Sequence, residues 1–204
     1  GMETDETQQS LKAVLFDFGG VIADDGFREG LRVIAEEQGL DPTYLTREGM
    51  DAVYDSGFVL GTGSEADFWQ LLRRRTGLVG DDQALTETIL TGFQLRPWMI
   101  DVVLQLHDAG YTTAILSDQT HWLDELDTRT SFKHAFDYVY NSYYLGKGKR
   151  DPSLFDDVVH DLSVAPGRAI FVDDDSGNAI HPHSRSSDVG SNGVLQWAPG
   201  HVER

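Results

Sequence analysis

Lys12-Ala-Val-Leu-Phe-Asp17 is a short apolar run that ends in an acid and leads into Gly19-Gly20, the pattern of a buried strand entering a tight loop. From Asp24 to about Leu95 the apolar positions fall at helical spacing: Leu31, Ile34 and Ala35, then Phe68, Leu71 and Leu72, then Leu85, Ile89 and Leu90. This predicts a helical insert. Gly26, Asp41-Pro42, Gly61-Thr-Gly63 and the stretch from Gly77 to Asp81 punctuate it, and Ser64 with Asp67 three residues on is an N-cap pattern.

Beyond the insert, a helix is expected from Pro97 to a stop at Gly110 and a strand from Tyr111 to Leu116. A helix over 120–130 and a short strand at Tyr138 to Tyr140 follow. Asp151-Pro152 then opens a further helix, with Asp as cap and Pro in the first position. Arg168 to Val172 reads as a strand, Ser176 to Gly193 is polar and predicts no helix, and Val194 to Trp197 closes the sheet. Strands alternating with helices define an α/β fold: a doubly wound, Rossmann-like parallel sheet with an inserted helical cap. The expected division is 11–23 with 96–204 as core and 24–95 as cap.

A chain of 204 residues, 40% of them hydrophobic, can bury such a core. It has no cysteine, which excludes a disulfide framework, a thiolate metal site and a cysteine nucleophile and suits the reducing cytoplasm. No apolar run approaches membrane-spanning length, and nothing near the start resembles a secretory signal. Gly1 ahead of Met2 has the look of a tag remnant, so the first ten residues are set aside. A formal charge of −18 repels nucleic acid and anionic membranes alike. An anionic small substrate meets the same field, so local cations must overcome it.

Polar residues recur at one structural level: Asp17 after the first strand, Ser117-Asp118 after the second, and Asp173-Asp174-Asp175 after the strand that ends at Val172. In an open α/β sheet the ligand crevice lies beyond the carboxyl ends of the strands, so these groups should converge. Carboxylates gathered there repel by about 4 kcal/mol per pair ~4 Å apart at an effective dielectric of about 20. A hard divalent cation, Mg²⁺, answers that repulsion with oxygen ligands. Lys149, ahead of Asp151-Pro152, supplies a second cation if its loop faces the crevice.

Phe16-Asp17-Phe18-Gly19-Gly20-Val21, Leu116-Ser117-Asp118, Lys149-Arg150-Asp151-Pro152 and Phe171-Val172-Asp173-Asp174 with Asn178 resemble, in order, the four motifs of haloacid dehalogenase-like hydrolases. The insert resembles that family's helical cap. The resemblance implies a Mg²⁺-dependent phosphatase acting on a small phosphorylated metabolite, with Asp17 as the nucleophile and Lys149 steadying it. Ser117 and the neighbouring Asp118 would lie at the phosphoryl group. Asp17, the Gly19 carbonyl, Asp173 and Asp174 would hold the metal.

Three departures stand out. Gly19 replaces the second Asp that serves many family phosphatases as acid and base, an absence shared with a branch resembling sugar-1-phosphate phosphatases; Asp24, Asp25 or a cap residue could substitute. Asp118 puts a negative charge beside the motif serine, which weakens phosphate binding unless it points away. After Asn178 the family's Ala-rich helix gives way to His181-Pro-His183-Ser-Arg-Ser-Ser. Two rival readings remain, a 2-haloacid dehalogenase and a catalytically weak relative that binds a phospholigand or protein. Elsewhere, Arg73-Arg74-Arg75 reads as an exposed helix face, His181 and His183 as loop residues, and the tyrosines at 138–144 with Trp69, Trp98 and Trp122 as packing.

Overall fold

A computed structural model describes residues 10–174 and 194–197. Its sheet has five strands: β1 Ala13–Phe16, β2 Thr112–Ser117, β3 Tyr138–Asn141, β4 Ala169–Asp174 and β5 Val194–Trp197. Their order is β3-β2-β1-β4-β5 and every neighbouring pair is parallel. A parallel sheet is covered on both faces, which is why β1 is apolar throughout and buried throughout. The strand's two-residue period divides its side chains. Val14 and Phe16 join the core that includes Met99, Val103 and the helical insert, while Ala13 and Leu15 pack with Leu154, Phe155, Val158 and Val159 on the other side.

Between β1 and β2 lie α1 (Gly26–Gln38), α2 (Pro42–Asp55), α3 (Glu65–Thr76) and α4 (Asp82–Gly92), followed by α5 (Pro97–Asp108). Each of the first four is opened by a side chain that accepts a first-turn amide hydrogen bond: Asp25, Asp41, Ser64 and Asp81. Those amides have no partner within the helix, so a cap at each start stabilises it by about 1 kcal/mol. Ser64 and Asp67 form a reciprocal capping box. The helical spacing read from the sequence corresponds to α1, α3 and α4, with Leu31, Ile34, Phe68, Leu72, Leu85 and Ile89 buried. Helix α2 begins at Asp41-Pro42, where the sequence showed only a break.

The remaining helices are α6 (Trp122–Arg129), α7 (Ser142–Leu145) and α8 (Leu154–Asp161). Helix α8 starts later than its sequence signal. Asp151 caps a turn instead, its Oδ1 accepting from Ser153 N at 2.9 Å, and the helix opens after Ser153. Trp69 and Trp122 are buried as expected, but Trp98 is 44% exposed. Arg73 pairs with Asp82 and Arg75 with Asp55, which places that basic run on the outside of the insert. Among the described residues no helix is long and apolar enough to cross a membrane. The expectations for Asp175, Asn178, His181, His183 and the stretch 176–193 lie outside the described residues.

The two chain segments that join sheet and insert run side by side. Ala23 bridges Leu95 antiparallel; Asp24 N donates to Gln94 O and Arg96 N to Ile22 O, both at 2.9 Å.

Candidate active site

β1 sits between β2 and β4, with Phe16 level with Ile115 on one side and Val172 on the other. Asp17 therefore leaves the sheet level with Leu116 and Asp173, one residue short of Ser117 and Asp174, where β2 and β4 end. Asp17 N donates to Val172 O at 3.0 Å, which holds the loop after β1 against the end of β4. Register alone thus brings Asp17, Ser117 and the Asp173-Asp174 pair to one edge, as the sequence pattern predicted.

The Asp17 carboxylate is fixed at both oxygens. Oδ1 accepts from Phe18 N at 2.8 Å and from Ser117 Oγ at 3.2 Å, and Oδ2 lies 2.7 Å from Lys149 Nζ. Lys149 is buried, with its ammonium 4.7 Å from the Phe171 ring centre. Burial alone would pull the Lys149 ammonium down, but Asp17, Asp173 and Asp118 outweigh it and hold the group above the ordinary lysine value. A cation fixed at neutral pH faces the carboxylate.

Asp173 is fully buried, and neither of its carboxylate oxygens has a hydrogen-bond partner among the described residues. Burial pushes its carboxyl up to about 9; Lys149 opposes this, and Asp17 and Asp174 add to it. Asp17, Asp173 and Asp174 each offer an oxygen within 4.8 Å of the others. Orphaned buried oxygens in an all-carboxylate cluster fit a hard divalent cation. Gly20 permits this crowding: its φ is +87°, and a Cβ there would meet Asp174 Oδ2 at 2.4 Å. Arg96 Nη1 donates to the Gly20 carbonyl at 2.8 Å and so pins the loop from below.

Asp118 is turned away from Asp17 and onto the backbone. Its two oxygens accept from Lys149 N at 3.0 and 3.1 Å, so it anchors the loop that carries the lysine. Burial raises its carboxyl to about 6, while Lys149 lowers it. No signal in the sequence linked Asp118 to residue 149; the contact exists because the chain returns there after β3.

These groups floor a cavity of about 890 Å³ whose opposite wall is helical, with Phe27, Arg28, Arg47, Met50 and Tyr54. That size suits a small-molecule ligand. Arg150 stacks on Tyr54, its guanidinium carbon 3.8 Å from the ring centre, and ties the Lys149 loop to α2. Asp25 also lines the cavity. It caps α1 through Arg28 N at 3.2 Å, and its carboxyl is pushed up by its enclosed position, with Arg28 opposing and Asp174 and Asp17 adding. Gly19 has no side chain to reach this wall, and a Cβ there would meet Asp25 Oδ1 at 3.7 Å. The sequence offered Asp24 and Asp25 as equals, but Asp24 is 56% exposed and paired with Arg96.

Comparison with known proteins agrees with this architecture. D-ribitol-5-phosphate phosphatase of Bacteroides thetaiotaomicron is 28% identical over 187 residues, covering 84% of this chain and 86% of that one. A HAD family enzyme of the same organism, solved in complex with magnesium and inorganic phosphate, shares the fold with a TM-score of 0.67 at 19% identity, covering 96% of this chain and 97% of that one. L-2-haloacid dehalogenase of Xanthobacter autotrophicus, solved with chloropropionic acid covalently bound, shares it at 0.58 and 19%, covering 80% of this chain and 69% of that one. The family model for haloacid dehalogenase-like hydrolases matches residues 11–179, nearly all of the strand and helix sequence described above, and the chain belongs to that family of hydrolases.

Proposed function

We propose that this hydrolase is a phosphatase that cleaves a small phosphomonoester of the sugar-phosphate type, through a phosphoryl group carried on Asp17. The observation that carries the reading is the Asp17 carboxylate held between Ser117 Oγ and Lys149 Nζ, beside two further acids that share its oxygen cluster. The phosphatase name of the Bacteroides relative supports it. We assign 11–23 and 96–204 to the catalytic core and 24–95 to a helical cap, and place the protein in the cytoplasm.

Mg²⁺ would be held by Asp17, the Gly19 carbonyl, Asp173 and Asp174, and would supply positive charge to the phosphoryl oxygens. The chain's own residues do the rest. Lys149 holds and aims the Asp17 carboxylate, and its ammonium offsets charge on the phosphoryl oxygens. Ser117 Oγ donates to Asp17 before reaction and to phosphate oxygen during it. Asp118 fixes the Lys149 backbone rather than touching phosphate itself. This is covalent catalysis by a carboxylate, with preorganised donors around a spreading negative charge.

The rival within the family, attack of Asp17 on the carbon of a 2-halo acid, gives no task to Asp173 and Asp174. The oxygen cluster they form with Asp17 favours the phosphate reading. Purified protein with Mg²⁺ should hydrolyse 4-nitrophenyl phosphate, and Asp17→Asn should abolish turnover. Turnover that survives Asp17→Asn, or chloride release from a 2-halo acid without Mg²⁺, would refute the reading.

A further inference from the structure

Cleavage of an alkyl phosphate expels an alkoxide, a far stronger base than water at neutral pH, so a proton must reach the leaving oxygen as the P–O bond breaks. Lys149 and Ser117 are both turned onto the Asp17 carboxylate. The donor has to come from another wall of the cavity.

The acids that line the cavity can be taken in turn. Asp17, Asp173 and Asp174 form the oxygen cluster. Asp118 turns both oxygens to Lys149 N, at 3.0 and 3.1 Å, and serves as the anchor of that loop. Glu29 is bonded to Arg32, which holds its carboxyl below the usual range, and Asp51 stands exposed on α2. What is left is Asp25, at the start of α1 where the insert meets the sheet.

Resting on the phosphatase reading, we propose that Asp25 is the catalytic acid and base of this site, delivered from the first residue of the helical layer rather than from the loop that carries the nucleophile. Three observations carry it. The carboxyl lines the same cavity as Asp17. A Cβ built on Gly19 would sit 3.5 Å from Phe93 Cε1 and 3.7 Å from Asp25 Oδ1, both ordinary contacts, so the gap between this loop and Asp25 is open because residue 19 is glycine. The Arg28 guanidinium lies 3.4 Å from Asp25 Oδ2, too far for a strong hydrogen bond, which leaves that oxygen able to carry and pass a proton.

The proton and electron accounting closes. A carboxylate oxygen of Asp17 bonds to phosphorus, the bond from phosphorus to the leaving oxygen breaks, and the leaving oxygen takes the Asp25 proton to depart as an alcohol. Water then bonds to phosphorus and gives a proton to Asp25, the acyl-phosphate bond breaks, and inorganic phosphate departs with Asp17 restored as a carboxylate.

Asp25 also caps α1, and the test has to separate the two roles. Asn and Ser cap a helix about as well as Asp but donate no acidic proton, so Asp25→Asn and Asp25→Ser should both fold with thermal midpoints close to the parent's. Each is assayed with Mg²⁺ on 4-nitrophenyl phosphate, whose leaving group needs little protonation, and on an alkyl phosphate such as ribitol 5-phosphate. Alkyl turnover should fall by about 10²–10⁴-fold, and by at least about tenfold more than aryl turnover. A ratio of alkyl to aryl turnover unchanged from the parent in both variants overturns the assignment of Asp25 and leaves the phosphatase reading standing. A parent that hydrolyses neither ester overturns the phosphatase reading, and this assignment falls with it.

Discussion

In the helical layer α1–α4, charge is relieved at the surface: Arg32 lies between Glu29 and Glu36, Arg73 meets Asp82 and Arg75 meets Asp55. In the crevice at the strand ends the arrangement is reversed, since Asp17, Asp173 and Asp174 crowd together beneath one buried ammonium and the two Asp173 oxygens have no hydrogen-bond partner among the described residues. Exposed pairs contribute little to stability, so the first region folds almost indifferent to its charges. Acids crowded at a buried site are costly, so the second is held together by the surrounding sheet despite its charges. The contrast separates residues kept for folding from residues kept for chemistry.

The strongest way to break the contrast is to remove its cation. Lys149→Met should lower kcat by about 10²–10³-fold, the usual loss when one preorganised donor is taken from a developing charge, as steady-state kinetics will show. Next comes Asp173→Asn, which removes a buried carboxyl group with no hydrogen-bond partner among the described residues. Thermal denaturation in EDTA should find this variant about 1–3 kcal/mol more stable than the parent. Mg²⁺ at about a hundred times its Kd should add about 2.7 kcal/mol to the parent and far less to the variant.

A smaller effect depends on pH. The Asp118 carboxyl sits at about 6 in the folded protein, above its value of about 3.9 in an unfolded chain. The folded state therefore binds this proton more tightly. Its contribution is fully present below about pH 4 and is lost as pH rises through about 6, some 2–3 kcal/mol in all. Asp118→Asn keeps an oxygen for Lys149 N but does not titrate, so chemical denaturation at pH 4 and pH 7 should show parent and variant diverging by that amount. The least effect belongs to the helical layer. Ser64→Ala removes one half of the capping box and should cost about 1 kcal/mol of stability with kcat unchanged.

Strand β1 and the convergence of Asp17, Ser117 and Asp173 were legible in the sequence because they depend on local pattern. An apolar run buried on both faces announces a strand, and parallel register then puts the following residues at one edge. Helix α2 was missed for a physical reason. Its buried stripe, Leu45, Ala52 and Val53, is interrupted by Gly49, where a Cβ would meet Leu31 Cδ1 at 2.5 Å; close helix contact removed the apolar side chain that periodicity would have counted. The placement of Asp118 on the Lys149 amide and of Asp25 on the cavity wall depends on where distant segments return. Neither contact leaves a trace in local spacing.

The antiparallel bridge between Ala23 and Leu95 means that everything between those residues leaves and re-enters the sheet through one narrow doorway. The backbone crosses there once in each direction, and side chains complete the join: Ser142 Oγ donates to Val59 O, Trp122 Nε1 to Glu65 and Arg129 to Glu87. Asp25 stands just inside that doorway, so an exchange confined to residues 26–94 would leave the proposed proton donor in the chain beside the strands.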